Sequence, residues 1–200
     1  MTNQLYFVFD SHCPWSYACL PLVNEVAKAY PEMELHLWHA AHYAGKDSPS
    51  QNLIDAVKSD SVVKFSKDYE ANLSRKKNSQ IAANVMSWLT NKQPQHALNV
   101  LNSIMQQHFV ENSDMDIPSN FEDIMTDLKL SPPAKAFKDK LSNDAQQIIE
   151  DIGEIQELIR MRSFPIMLLA MGDNAVLLDH SHYLKHPAKI VEAVKLELNK

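Results

Sequence analysis

The sequence predicts an α/β fold in which a β-α-β half and a β-β-α half are separated by an all-helical insertion. Three observations predict it. The aromatic run "LYFVFD" (5–10) reads as a buried strand, and Pro14 follows it with apolar positions at helical spacing. Residues 51–160 show almost no strand pattern but carry several amphipathic stretches. Strand character returns at "FPIMLLAMGDNAVLLD" (164–179), where two apolar runs flank Gly172, Asp173 and Asn174, a hairpin signal.

Each element has a local reason. Pro14 suits a first helical turn, where its missing N–H costs nothing, and this puts Cys13 at the N-cap. Leu20, Val23, Ala27 and Tyr30 recur at helical spacing, and the helix should end before Pro31. "MELHLWHA" (33–40) alternates and reads as a second strand, parallel to the first and reached by a right-handed crossover. In the insertion, "PQHALNVLNSIMQQHFVEN" places Ala97, Leu98, Leu101, Ile104, Met105, His108 and Phe109 on one stripe. "SNFEDIMTDLKL" begins with capping residues and aligns Phe121, Ile124, Met125 and Leu128. "SPPAKAFKDKL" offers Ser131 as N-cap and Pro132 at the first helical position. Ile148, Ile152, Ile155 and Ile159 form one further face, for about five helices in all. The chain closes with an amphipathic helix opened by Pro187. The expected division is 1–44 with 161–200 as the α/β part, and 45–160 as the insertion.

Composition excludes several classes. The 200 residues carry a net charge of −6 and only three glycines, so neither a disordered nor a fibrous chain is expected. No basic stripe points to nucleic acid or an anionic membrane, and "SRKK" (74–77) reads as a solvated helix face. "MTNQLYFVFD" lacks a basic leader, and its apolar run is too short for a signal or a membrane span, so a cytoplasmic location is expected. Nine histidines raise the question of metal. His36 and His39 fall on opposite faces of a strand; His180 and His182 could share one; no cysteine or carboxylate completes a zinc spacing, so no metal is expected. His108, on an apolar stripe, reads as a hydrogen-bonded core residue.

"DSHCPWSYACL" (10–20) carries the chemistry. A free thiol titrates at about 8.5, and only the thiolate is nucleophilic. The helix N-terminus should favour the thiolate of Cys13, and His12 could add charge when protonated. A Cys13 pKa near 8.5 or higher would argue for binding rather than thiol catalysis. Cys19 is no resolving partner: six helical residues rise about 9 Å, and a disulfide needs Cα atoms within about 7 Å. Ser16 lies one turn on, where its hydroxyl can donate to the thiolate but cannot attack a disulfide. The site is then monothiol, and a mixed disulfide on Cys13 needs an outside thiol for release.

The order of elements, with "CPWS" after the first strand, resembles the thioredoxin fold, and the large helical block resembles its DsbA-family version. Two further marks support the resemblance. Pro21 lies eight residues after Cys13 inside the helix, where a proline otherwise costs about 3 kcal/mol. Pro165, in "SFPIMLL", stands where the family has a cis-proline. Kappa-class glutathione transferases and 2-hydroxychromene-2-carboxylate isomerases share the architecture, with serine in place of Cys13. Their "G-x-D-R" turn is not matched by "DHSH" (179–182).

The resemblance implies thiol–disulfide exchange at Cys13 and Ser16, with disulfide isomerase or glutathione-dependent reductase character. It implies a substrate groove of His12, Pro14, Trp15, Phe164 and Pro165, with the Phe164 backbone pairing an extended peptide or glutathione. No tightly bound cofactor is expected; glutathione is a candidate co-substrate, and thiol- or disulfide-bearing peptides or proteins are the expected partners. A homodimer stays open. The alternatives are a kappa-like transferase or isomerase, and a peptide-binding module without turnover.

Overall fold

The computed structural model describes residues 3–199. The elements are β1 (Gln4–Phe9), α1 (Pro14–Ala29), β2 (Glu34–His39), α2 (Gln51–Asp60), α3 (Lys67–Ala71), α4 (Gln80–Lys92), α5 (Pro94–Phe109), α6 (Glu122–Asp127), α7 (Asn143–Leu158), β3 (Ile166–Met171), β4 (Asn174–Leu177) and α8 (Ile190–Leu198). The sheet order is β2-β1-β3-β4. β1 pairs parallel with β2, in register Gln4↔Glu34 to Phe9↔His39, and antiparallel with β3, ending at Val8↔Ile166. β3 and β4 form the expected hairpin on a two-residue loop, Gly172-Asp173, with Asn174 already paired to Met171. Gly172 has φ +60, which glycine adopts without steric cost at the first position of such a loop.

Strand alternation sends side chains to two faces. Leu5, Phe7, Phe9, Leu37, Met167 and Leu169 join one core with α1, α8 and most of the insertion. Val8, Ile166 and Leu168 join a second, capped by Ile148 and Ile152 of α7. Burying each such aliphatic side chain contributes about 1.5–3 kcal/mol, so both faces are committed. α1 starts at Pro14, ends before Pro31 and holds Pro21 in its interior. Asn24 and Asn102 exchange hydrogen bonds of 2.8 and 2.9 Å, tying α1 to α5.

The insertion departs from expectation in detail. It has six α-helices among the described residues rather than five. The short α3 shows no readable period; it is held by the Ser66 hydroxyl, which accepts from the Tyr69 amide at 3.1 Å. The stretch after Ser131 is not an α-helix: only a 3₁₀ turn forms, Ala134–Phe137, with Pro133 extended at its N-cap. Pro133 disfavours the helical region for Pro132, which pushes the start onward. The residues before α6 form another 3₁₀ turn, and no side chain caps it. "SRKK" is a turn rather than a helix face, and while Arg75 and Lys76 are exposed, Lys77 is buried. No helix among the described residues is long and apolar enough to cross a membrane.

Candidate active site at the start of the first helix

Where β1 ends, the chain turns tightly: the Cys13 amide donates to the Asp10 carbonyl at 3.0 Å. Cys13 is then the N-cap of α1, with φ −86 and ψ 121, and its side chain caps nothing. The Ser16 amide and hydroxyl and the Trp15 amide instead bear on its sulfur. Ser16 Oγ accepts from the Asp10 amide at 3.2 Å, which leaves its own proton free to point at the thiol. Cys13 and Cys19 are both free and buried.

The expected acidic thiol is not found. Burial pushes the Cys13 pKa above its ordinary value, and the Asp10 carboxylate adds to the rise; the donors from Ser16 and Trp15 offset this only in part. Desolvation of a thiol that is 9% exposed outweighs the helix terminus. Burial raises Cys19 further.

Asp10, three residues upstream, is fully buried. Its Oδ1 accepts from the His12 amide at 2.8 Å. Its Oδ2 accepts from the His42 amide at 2.7 Å, the Tyr43 amide at 3.3 Å and the Ser79 hydroxyl at 2.7 Å. Burial alone would raise this carboxyl, but the electrostatics of His39 and His12 and the bonds from Ser79 and His12 hold it below its ordinary value.

His12 is placed away from the groove face expected of it. It turns into the interior, with Nδ1 3.0 Å from Ser11 Oγ and its ring 4.0 Å from that of His108. Burial, followed by His108, lowers its pKa well below the ordinary value, so it carries no charge to Cys13 at neutral pH. His108 is buried as expected, but neither ring nitrogen has a partner in hydrogen-bond geometry, although the Ser113 backbone acts on the ring. Burial, then Lys77, pushes His108 down to about 3.

Lys77 Nζ is also buried without a hydrogen-bond partner, 5.0 Å over the Tyr69 ring. Burial, then Arg75, lowers it to about 8. An unpaired ammonium is costly to bury, so Lys77→Met is expected to stabilise the fold at pH 7 by about 1–3 kcal/mol. The native lysine is neutral above about pH 8 while the unfolded one binds its proton to about 10.5. The advantage of Met should therefore shrink between those values. Urea titrations at pH 7 and pH 10 check this, and an equal gain at both would refute it.

The second part of the site lies at the same end of the sheet. The Phe164–Pro165 peptide bond is cis, and it immediately precedes the Val8↔Ile166 pair, where β1 runs toward Cys13. Trp15, Met161, Phe164, Pro165, Leu178 and His180 are among the residues lining a groove of about 370 Å³. The structure thus brings Trp15, Phe164 and Pro165 together, whereas Pro14 is buried at the first helical position. Three residues to which sequence reasoning gave no role in this site belong here; His180 was weighed only for metal. Asp10 carried a signal, a lone carboxylate closing an apolar strand. His42 spans the two parts, its amide on Asp10 and its ring 5.2 Å from that of Phe164. His180 Nε2 lies 3.0 Å from the Pro165 carbonyl. His182 instead meets Asp179, at 3.2 Å. Among the described residues no three His, Cys, Asp or Glu side chains are placed to hold a metal.

Fold and connectivity define the class: a thioredoxin fold of the DsbA type, with a helical insertion between its halves. The cytosolic disulfide reductase DsbM from Pseudomonas aeruginosa is similar to this chain, with a TM-score of 0.83 and 17% identity over 98% of each chain. A candidate protein disulfide isomerase from Nitrosomonas europaea gives 0.75 and 13% over 100% of both. A 2-hydroxychromene-2-carboxylate isomerase gives 0.59 and 16%, over 98% of this chain and 96% of that one. No protein-family model matches the chain, and no curated protein matches it in sequence.

Proposed function

We propose that the protein catalyses thiol–disulfide exchange through Cys13 as a monothiol, in the reducing direction and with glutathione as co-substrate. The observation that supports this most is the placement of Cys13 at the N-cap of α1, at the sheet end that carries cis Phe164–Pro165. In the first step the Cys13 thiolate attacks one sulfur of a disulfide RSSR. Cys13–S–S–R forms and RS⁻ leaves. In the second, an outside thiolate attacks the R sulfur, the Cys13 thiolate departs, and the substrate leaves as a disulfide with that outside thiol. The N-terminus of α1 favours the departing Cys13 thiolate.

The raised Cys13 pKa bears on direction. A strong oxidant is one whose reduced thiolate is stabilised. Burial opposes that stabilisation here, which is the reverse of what a strong oxidant needs and favours the reducing direction. The solved structure of DsbM with glutathione supports the choice of co-substrate by similarity.

The same burial favours one rival, a peptide-binding module without turnover. Oxidised glutathione followed by intact-mass analysis separates them. One glutathionyl group on Cys13, removed by excess reduced glutathione, is expected; an unchanged mass would leave binding alone. The pH dependence gives a second check. Because the thiol sits above its ordinary value, alkylation of Cys13 by iodoacetamide should be slow at pH 7 and still accelerating at pH 9. A rate already level at pH 7 would contradict the raised pKa.

A further inference from the structure

We propose that His180 is a positioning residue of the exchange site, orienting the Phe164–Pro165 loop through a hydrogen bond to the Pro165 carbonyl. This rests on the exchange reading and extends it. A carbonyl can only accept, so at 3.0 Å His180 Nε2 must carry the proton. The neutral ring is thereby fixed as the Nε2–H tautomer. Its Nδ1 is buried without a partner, so no competing bond pulls the ring the other way.

Neighbouring bonds keep the ring in place. His180 opens a 3₁₀ turn, His180–His182, capped by Asp179. Asp179 Oδ1 accepts from the Ser181 amide at 3.1 Å and the Ser181 hydroxyl at 2.6 Å. Just upstream, the Leu178 amide donates to the Met167 carbonyl at 2.9 Å, which anchors the turn to β3. The chain returning from β4 therefore clamps the first residues of β3 from the side. His180 and the cis bond line one groove with Trp15. A ligand that pairs its backbone with Phe164 meets a peptide plane whose next carbonyl is already held. Pre-orienting that plane lowers the ordering cost of binding an extended backbone.

The test compares two oxidants. Oxidised glutathione has peptide groups that can use the loop; bis(2-hydroxyethyl) disulfide has none. His180→Ala should slow adduct formation with oxidised glutathione by about three- to tenfold, mainly through KM. It should slow the hydroxyethyl reaction by clearly less, since that oxidant has no peptide group for the loop to hold. His180→Gln, which keeps a donor, should restore part of the loss. Equal loss with both oxidants, or no loss, would overturn the proposal. Failure of the unsubstituted protein to react with either oxidant would instead overturn the exchange reading. A measurement on the intact protein stands apart from any folding defect: ¹⁵N imidazole shifts should show His180 protonated at Nε2 and bare at Nδ1, and the opposite tautomer would refute the assignment.

Discussion

Cys13→Ser is expected to abolish glutathionylation and all disulfide turnover, and Ser16→Cys to change the course of the reaction. Of the two cysteines, Cys19 is fully buried, whereas Cys13 stands at the N-cap of α1 and keeps some exposure. A serine hydroxyl cannot take its place in exchange. Ser16→Cys acts in the opposite sense. Its side chain already bears on the Cys13 sulfur. Residue 16 is one helical turn away, within the reach of a disulfide. The variant should close an internal disulfide on oxidation and eject a bound glutathionyl group without help. Intact mass after oxidised glutathione should then show the loss of two hydrogens in place of the adduct. A persistent adduct on the Ser16→Cys protein would show that the two sulfurs cannot meet, and would undercut the geometry on which the monothiol cycle rests.

Asp10→Ala should produce the largest loss of stability. It leaves four donors facing a cavity: the amides of His12, His42 and Tyr43 and the hydroxyl of Ser79. A buried donor left unsatisfied costs about 1–3 kcal/mol, so the total should reach at least about 3 kcal/mol. Asp10→Asn, which keeps one accepting oxygen, should lose less. The pH dependence has a definite sign. The folded pKa lies below the unfolded one, so the stabilisation is complete above about pH 4 and disappears as the pH falls through the folded value. Urea midpoints from pH 7 to pH 2 should therefore fall more steeply for the native protein than for Asp10→Asn. Parallel slopes would show that the carboxylate charge contributes nothing.

The parts of this architecture that repeat were legible, and the parts that depend on single contacts were not. Strand alternation and helical spacing marked β1, β2, the hairpin, α1, α5 and α7, because each reports a whole buried face, whereas α2 and α4 were not singled out. The stripes on α5 and α7 face the core as expected, with Leu98, Ile155 and Ile159 only partly buried. The five-residue α3 and the Ser131 region failed because capping and adjacent prolines, rather than periodicity, decide short segments. Cys13, Trp15 and Pro165 stood out by residue type at a junction. Asp10, His42 and His180 did not, since their roles come from partners 32, 69 and 15 residues away. The Cys13 pKa was misjudged for a related reason: the helix terminus is visible in sequence, whereas the desolvation that outweighs it exists only after packing.

β4 is an edge strand of only four residues, and the chain leaves it at Leu178 to build the groove wall. An exposed sheet edge ordinarily invites another chain to add a strand, and natural edges are kept short to discourage it. A longer β4 would carry His180 away from the Pro165 carbonyl, so that contact goes with the early departure. The turn that carries this contact thus leaves only a short template at the β4 edge of the sheet.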